Sequence, residues 1–505
     1  MKLKVFFSFF VKNDFYNLFL FIAIVFYTIT AFNSHGFYQG DAHYQIIEFA
    51  NLKLGVNGVE DMPWEYHEQI RSSLQPSIAY VFLKIFGLLH IQNPYDIAFL
   101  FRLLSSGVYV WVVHYFIKQT RSEFKSKRYI KYYYFTSFFL YFIPYLSLQF
   151  SSENWSGMFF LLGLAHYFNP KENDVKPILI GFVLGMSFLF RFQIAFGILV
   201  FFTWLLLVKK ESYIFLGKLI IGLVATASLG VLLDCWYYGE FVLTSLDYFY
   251  LGIDISKISD FGVSPWNFYY YEIVDKSLYK LGFSIVIGCL IAVFIKPKSV
   301  FIWIVLSFVL FHSLIPHKEL RFIFPIVSLL PIILVFSIEW WCGLFEKYRW
   351  INRMNKWILW VLATIHFMLL IGYSQYNENG LVNGITKFVY EEYGGKQIQF
   401  NYYGDYYSRE FCKEDYLPMN FYFGENIKFK KLESLEDLEN SLVKTKTVNL
   451  FLIDERSLDA ESKAKLRTLQ YQLVKQGKPE WLASFSRYKN KGATTNSLLF
   501  ALLED

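Results

Sequence analysis

Apolar runs of membrane-spanning length recur up to about residue 373, and the charges between them are mostly lysine and arginine. A run of about 20 apolar residues crosses a bilayer as a helix, because only helices and closed barrels satisfy their own backbone there. Composition agrees: 55% of the residues are hydrophobic, 21% aromatic, and the mean hydropathy is +0.33. A soluble globular domain carries less, so the expected fold class is a polytopic α-helical membrane protein. The first run, 15–32, is too long for a signal-peptide core and ends in Asn33-Ser34-His35-Gly36 without a small-residue cleavage site, so it is read as a retained first helix. Cys235, Cys289, Cys342 and Cys412 are scattered without paired spacing, which excludes a disulfide framework and a thiolate metal site. The net charge of +6 lies in loops flanking apolar runs, so no nucleic-acid partner is expected.

Lysine and arginine also set the orientation. Lys2, Lys4 and Lys12 place the N-terminus in the cytoplasm, and the basic loop Lys118, Arg121, Lys125, Lys127, Arg128, Lys131 belongs on the same side. That holds only if 77–91, short and carrying Lys84, lies along the interface instead of spanning. Spans are then expected near 15–32, 98–117, 132–148 and 155–168, as two helices meeting at Arg191 within 178–208, and near 219–235, 281–295, 300–314, 322–339 and 357–373. About eleven spans result, with Lys171, Lys176, Lys209, Lys210, Lys218, Lys296, Lys298, Lys347, Arg349, Arg353 and Lys356 inside. The loops 33–97 and 236–278 fall outside. From about residue 374 the composition changes. Apolar runs at 397–400, 448–453 and 497–502 alternate with charged, helix-like stretches at 432–443 and 457–476, the pattern of a small α/β domain. The expected domains are therefore a transmembrane catalytic domain, 1–373, and an external soluble domain, 374–505, whose plainest role is structural or acceptor-positioning.

Residues 316–325, P-H-K-E-L-R-F-I-F-P, press His317, Lys318, Glu319 and Arg321 between two long apolar runs. An ionised side chain at a bilayer centre costs ~2.5 to 3.5 kcal/mol on insertion scales, so the cluster belongs at a membrane surface, where Lys318 and Arg321 could simply snorkel, or in a polar cavity. Its wording resembles the H-K-E-x-R-F stretch of glycosyltransferase family 22, polytopic mannosyltransferases of the GT-C superfamily that use a polyprenol-phosphate-linked sugar. Other stretches carry the same resemblance. Asp41-Ala42-His43-Tyr44-Gln45 is similar to the family's D-E-x-[FY]-Q, with Ala42 in place of the second acid. Residues 63–76, with Trp64, Glu65, Tyr66, Arg71 and Pro76, resemble T-W-E-[FWY]…R-S-x-x-x-P, with Pro63 in place of Thr. Arg191 in L-F-R-F-Q stands where similar family members have an arginine. Asp234 to Gly239 and the stretch 261–270 resemble D-x-x-[FY]-Y-G and F-G-x-x-P-W-x-x-Y.

The resemblance implies an inverting glycosyltransferase that moves a sugar, with mannose expected, from a polyprenol-phosphate donor to a glycan or glycolipid acceptor at the external membrane face. Asp41 would be the catalytic base; its plainer reading is N-cap of the helix that follows. His317, Lys318, Arg321 and Arg191 would hold the donor phosphate, whose charge grows as the glycosidic bond breaks. His43, Gln45, Trp64, Glu65, Arg71, Glu153, Asp234, Tyr238, Trp266 and Glu319 would contact substrate. Plainer readings stand beside these: Glu153 as a helix cap, Trp64, Trp266 and their neighbours as interfacial aromatics, Arg71 as a headgroup contact. No Gly-rich phosphate loop and no metal-ligand spacing occurs, so no cofactor and no metal are expected. The compartment would be a plasma or inner membrane in a bacterium and the ER in a eukaryote. Two rivals stay open. A transporter or flippase of lipid-linked saccharides would show repeat symmetry or broken helices in corresponding halves. An inactive glycan-binding relative is kept open by Ala42.

Overall fold

The computed structural model describes residues 15–37, 39–170, 175–254, 257, 259, 261–275, 281–345, 348–375, 380–404, 420–423, 426–443, 446–477 and 496–502. Lys2, Lys4, Lys12, Lys171, Lys347 and Cys412 lie outside the described residues. The chain divides into two compact units. One comprises Met1–Asn33, Glu68–Gln75 and Leu100–Tyr376, the other Ser34–His67, Pro76–Phe99 and Asn377–Asp505.

The first unit is helical. Its elements are α1 (Phe15–Asn33), α2 (Pro94–Thr120, entering at Leu100), α3 (Lys127–Phe139), α4 (Ser152–Phe168), α5 (Lys176–Phe190), α6 (Ala195–Trp204), α7 (Tyr213–Tyr238), α8 (Leu281–Ile295), α9 (Val300–Leu314), α10 (Leu330–Phe345) and α11 (Arg349–Ser374). Tyr16–Asn33, Pro94–Glu123, Phe192–Lys209, Tyr213–Tyr238 and Leu320–Phe345 are long and apolar enough to cross a membrane. Leu74–Leu88, Lys176–Phe190, Leu281–Ile295, Val300–Leu314 and Trp360–Ser374 are shorter apolar helices.

In an apolar solvent, helix association depends on close approach and on buried hydrogen bonds more than on hydrophobic burial. The α5–α7 contact shows this. A Cβ on Gly181 would run into the carbonyl of Leu219, and one on Gly222 into the carbonyl of Ile178. Thr226 Oγ1 donates across the same contact to the Phe182 carbonyl at 2.9 Å. Elsewhere Tyr27 of α1 donates to the Phe138 carbonyl at 3.0 Å, and Arg102 Nε of α2 to the Ala31 carbonyl at 3.1 Å.

Two expectations change here. The helix expected at 132–148 is broken: α3 stops at Phe139, and a separate helix, Ile143–Ser147, follows with Pro144 in its first turn. Proline has no N–H and its ring clashes with the preceding turn, so it starts a helix where it would break a continuous one. The stretch 236–278, expected to be an external loop, is partly helical, at Thr244–Ile253 and Phe268–Asp275.

The second unit contains a five-stranded sheet, β1 (Gln397–Tyr403), β2 (Ile427–Leu432), β3 (Thr447–Asp454), β4 (Tyr471–Gln476) and β5 (Ser497–Leu502), in the order β2-β1-β3-β5-β4. β1 pairs in parallel with both β2 and β3, while β5 is antiparallel to β3 and β4. Alternation sends Ile398, Phe400, Tyr402, Leu450 and Leu452 to one face, against Ile385 and Val389 of α12 (Gly380–Tyr393). Phe451, Ile453 and Leu498 face the other side, against Leu466 of α13 (Ala460–Thr468). The stretch 457–476, expected helical, is helix only to Thr468. Gln470 takes a left-handed φ of 61°, and the chain re-enters the sheet as β4. Likewise 432–443 keeps only the short helix Asp437–Asn440, and the strand before it ends at Leu432.

Candidate functional site

In the helical unit the charged residues gather around the ends of α4, α5 and α9. Within the apolar run 178–208, α5 stops at Phe190; Arg191 is extended, with φ −152° and ψ 109°, and the 3₁₀ turn Phe192–Ile194 leads into α6. The guanidinium therefore leaves from a helix end, as the expected meeting of two helices at Arg191 requires. It is 5% exposed. Its NH1 lies 3.1 Å from Glu153 Oε1 and donates to Ser152 Oγ at 3.3 Å, while Nε donates to Gln193 Oε1 at 2.9 Å.

Glu153 is not the cap of α4. Ser151 is the N-cap, its hydroxyl accepting from the Asn154 N–H, and Glu153 in the first turn pairs with Arg191 instead. One turn further along, an added Cβ on Gly157 would lie 2.6 Å from the Pro325 carbonyl oxygen. That close approach seats α4 against the segment Leu320–Leu329, which Pro325 keeps in 3₁₀ form by withholding a donor. Positions four apart share a helix face, so Glu153 comes level with Arg321, whose NH1 is 4.0 Å from Glu153 Oε1.

Arg321 is also held by Glu319 in a two-pronged pair, Nε to Oε2 at 2.6 Å and NH2 to Oε1 at 2.8 Å. His317 Nε2 lies 3.3 Å from Glu319 Oε1, and its Nδ1 3.2 Å from the Gly262 carbonyl. Both guanidinium groups rest against the Phe322 ring, at 5.5 Å for Arg191 and 5.8 Å for Arg321. Lys318 donates to the carbonyls of Ser264, at 2.8 Å, and Pro316, at 3.4 Å, and burial lowers its pKa. The arrangement is a largely buried cluster of cations already oriented by carboxylates, suited to an anion with several acceptor oxygens.

Asp234 and Tyr238, expected to contact substrate, are used within the protein. Asp234 accepts from the Ser73 N–H at 2.7 Å, from Ser73 Oγ at 2.6 Å and from Thr244 Oγ1 at 2.6 Å. Tyr238 donates to the Arg71 carbonyl at 2.8 Å. Together they clasp Glu68–Gln75, and with it Arg71, to the end of α7. Trp266 is exposed.

In the second unit a helical turn, Gly40–Ala42, carries Asp41 and runs into a π-helical turn, His43–Glu48, and then Phe49–Leu54. The N-cap is Gln39, two residues earlier than the N-cap reading of Asp41 requires, so Asp41 sits inside the first turn, half-buried. Its neighbours point inward. His43, 1% exposed, places Nε2 2.7 Å from Glu48 Oε1, and Gln45 Nε2 donates to Glu65 Oε1 at 2.7 Å. Trp64 is exposed.

Glu48, which sequence reasoning passed over, is fully buried and is the hub of this group. Burial pushes its carboxyl pKa up, but the His43 charge and hydrogen bonds from His43, Asn57 and the Phe421 N–H outweigh that and hold it below its ordinary value. The available signal was a glutamate in the middle of the apolar stretch Ile46-Ile47-Glu48-Phe49-Ala50, where a carboxylate needs partners. Among the described residues no group of three His, Cys, Asp or Glu side chains could hold a metal ion.

A model of the Alg9-like mannosyltransferase family matches residues 17–405. GPI mannosyltransferase 3 of Yarrowia lipolytica is 25% identical over 374 residues, 72% of this chain and 69% of that protein. Human GPI alpha-1,2-mannosyltransferase 3 is 21% identical over 307 residues, covering 59% of this chain and 52% of its own. Among solved structures, ArnT from Cupriavidus metallidurans bound to undecaprenyl phosphate superposes with a TM-score of 0.55 over 97% of this chain and 98% of that one, at 10% identity. The chain thus has the GT-C-type fold.

Proposed function

Given that the chain belongs to the Alg9-like mannosyltransferase family and is a membrane-bound glycosyltransferase, we propose that it transfers mannose from a polyprenol-phosphate donor to a glycolipid acceptor at the extracytoplasmic face. The observation that carries the donor is the buried cluster of Arg191, Arg321 and Lys318 with Glu153 and Glu319. A buried arginine beside apolar helices is a functional feature by default. A lipid-linked donor keeps its tail in the bilayer, which accounts for a transferase embedded there, and ArnT, sharing the fold, is bound to undecaprenyl phosphate. The name of the relatives, GPI mannosyltransferase 3, supports a glycolipid as acceptor.

In this reading the bond between the sugar C1 and the phosphate oxygen breaks with its electron pair passing to phosphate. Arg191, Arg321 and Lys318, with His317 beside them, stabilise the charge that develops. The acceptor hydroxyl oxygen bonds C1 from the opposite side, inverting it, and its proton passes to the Asp41 carboxylate. General-base help of this kind is worth about 10² to 10⁴ in rate. No metal takes part, since the cations already supply the charge that a divalent ion would.

The test is a transfer assay with purified protein, a glycolipid acceptor, and either polyprenol-phosphate mannose or GDP-mannose as donor. Transfer from the lipid donor alone, undiminished by EDTA, is expected. Transfer from GDP-mannose alone would remove the donor assignment, and binding of glycolipid without transfer from either would favour the inactive relative.

A further inference from the structure

Glu48 is 0% exposed among Ile46, Ile47, Phe49 and Ala50. A carboxylate there is tolerated only when its lone pairs are used, and four donors use them. Oε1 lies 2.7 Å from His43 Nε2 and accepts from the Phe421 N–H at 3.0 Å; Oε2 accepts from Asn51 Nδ2 at 3.0 Å and Asn57 Nδ2 at 2.8 Å. Asn57 is itself held, its Oδ1 accepting from Asn420 Nδ2 at 3.0 Å. The rings of Phe421 and Tyr422 pack on His43 at 6.2 and 5.3 Å. Residues 420–423, from the C-terminal part of the chain, therefore complete the surroundings of a carboxylate that lies just after the first helix.

This bonding is what the backbone distortion serves. In an α-helix, residues five apart stand about 140° round the axis, too far for His43 to meet Glu48. The π-turn closes from i to i+5 and brings them together. Rewinding it to α would rotate the preceding turn, which carries Asp41, by about 100° per residue of slip. The direction of Asp41 thus follows from the pairing of Glu48.

We propose that Glu48 and residues 420–423 are the positioning element of Asp41, so that the C-terminal part of the chain takes part in catalysis by locking the π-turn. This rests on the reading of Asp41 as base. It gives the C-terminal domain a role that a passive appendage would not have.

The experiment compares full-length purified Glu48→Gln, Asn420→Ala and Asp41→Asn, and each of the first two combined with Asp41→Asn, by steady-state transfer from polyprenol-phosphate mannose. Glu48→Gln keeps the shape of the side chain but puts an N–H donor where donors already point. Its kcat is expected to fall about 100-fold and that of Asn420→Ala about tenfold, with KM for the donor changing less than about twofold. Residues that act as a unit are not additive, so neither change should cost more than about twofold in the Asp41→Asn background. A full multiplicative loss in the double variants, or a rise in KM at unchanged kcat, would make the network merely structural and overturn the proposal. Asn420→Ala leaves Glu48 itself in place and carries the test should Glu48→Gln fail to fold. Near wild-type turnover in Asp41→Asn alone would instead overturn the base assignment, which separates the two failures.

Discussion

Glu153 pairs with Arg191 and reaches Arg321, and all three side chains are largely buried. Removing one partner of such a group leaves an uncompensated charge, so Glu153→Ala is expected to lower stability by about 3 to 5 kcal/mol. Thermal denaturation in detergent checks this, and an unchanged midpoint would mean that the pair is solvated. Arg321→Ala should raise KM for the lipid donor at least about tenfold while leaving acceptor KM nearly unchanged, because a phosphate contact is lost and no acceptor contact is. Equal kinetics in wild type and variant would return Arg321 to a headgroup role. Glu48 supplies a pH dependence. A carboxylate with a depressed folded pKa stabilises fully above its ordinary value, 4.5, and the contribution is lost as pH falls through the folded value. The Phe421 amide should be protected at neutral pH and lose that protection, relative to the unfolded-chain exchange rate, as pH falls below 4.5 through the folded value. Phe421 amide protection that is unchanged in Glu48→Gln would show that this carboxylate does not hold residues 420–423. Arg191 was legible in the sequence because a charge inside an apolar run has no bland place to go. Its partner Glu153 was not. Capping and pairing leave the same trace, an acid near a helix start, and only the Ser151 cap separates them.

At the scale of elements, glycines carry the decisive contacts of the membrane unit. Gly181 and Gly222 let α5 and α7 approach until each meets the other's backbone, so Gly222→Leu should destabilise by more than Gly217→Leu, where a Cβ would meet nothing within 4 Å. Comparable losses at the two positions would show that packing does not set this contact. α8 and α9 lie where their apolar runs place them, bounded by Lys296, Pro297 and Lys298. The break between α3 and Ile143–Ser147 was less legible, since Leu140, Tyr141 and Phe142 continue the apolar run through it. β2, I-K-F-K-K-L, escaped notice because lysines occupy its exposed positions, as edge strands favour, and β4 because Gln472, Lys475 and Gln476 break up its apolar residues and continue the polar pattern of α13. The π-turn His43–Glu48 has no period to read, as one inserted residue is invisible to a 3.6-residue pattern.

For the whole molecule, the membrane class and the transferase family were readable because both rest on repeated signals, the recurrence of apolar runs and of motifs in a fixed order. What the C-terminal part does was not, since one of its bonds to Glu48 comes from the Phe421 backbone N–H, which any residue but proline could supply, and Asn420 reaches Glu48 only through Asn57. The charge-derived orientation predicts that cysteine at position 313, at the end of α9, is labelled by an impermeant thiol reagent from outside, while cysteine at position 126, before α3, is labelled only after permeabilisation. The reverse pattern would invert the topology. In the proposed mechanism Asp41 takes the proton of the acceptor hydroxyl. Single-turnover transfer from polyprenol-phosphate mannose should be about 10² to 10⁴ slower in Asp41→Asn than in wild type, with donor affinity and thermal stability retained. A variant that transfers mannose at the wild-type rate would contradict it.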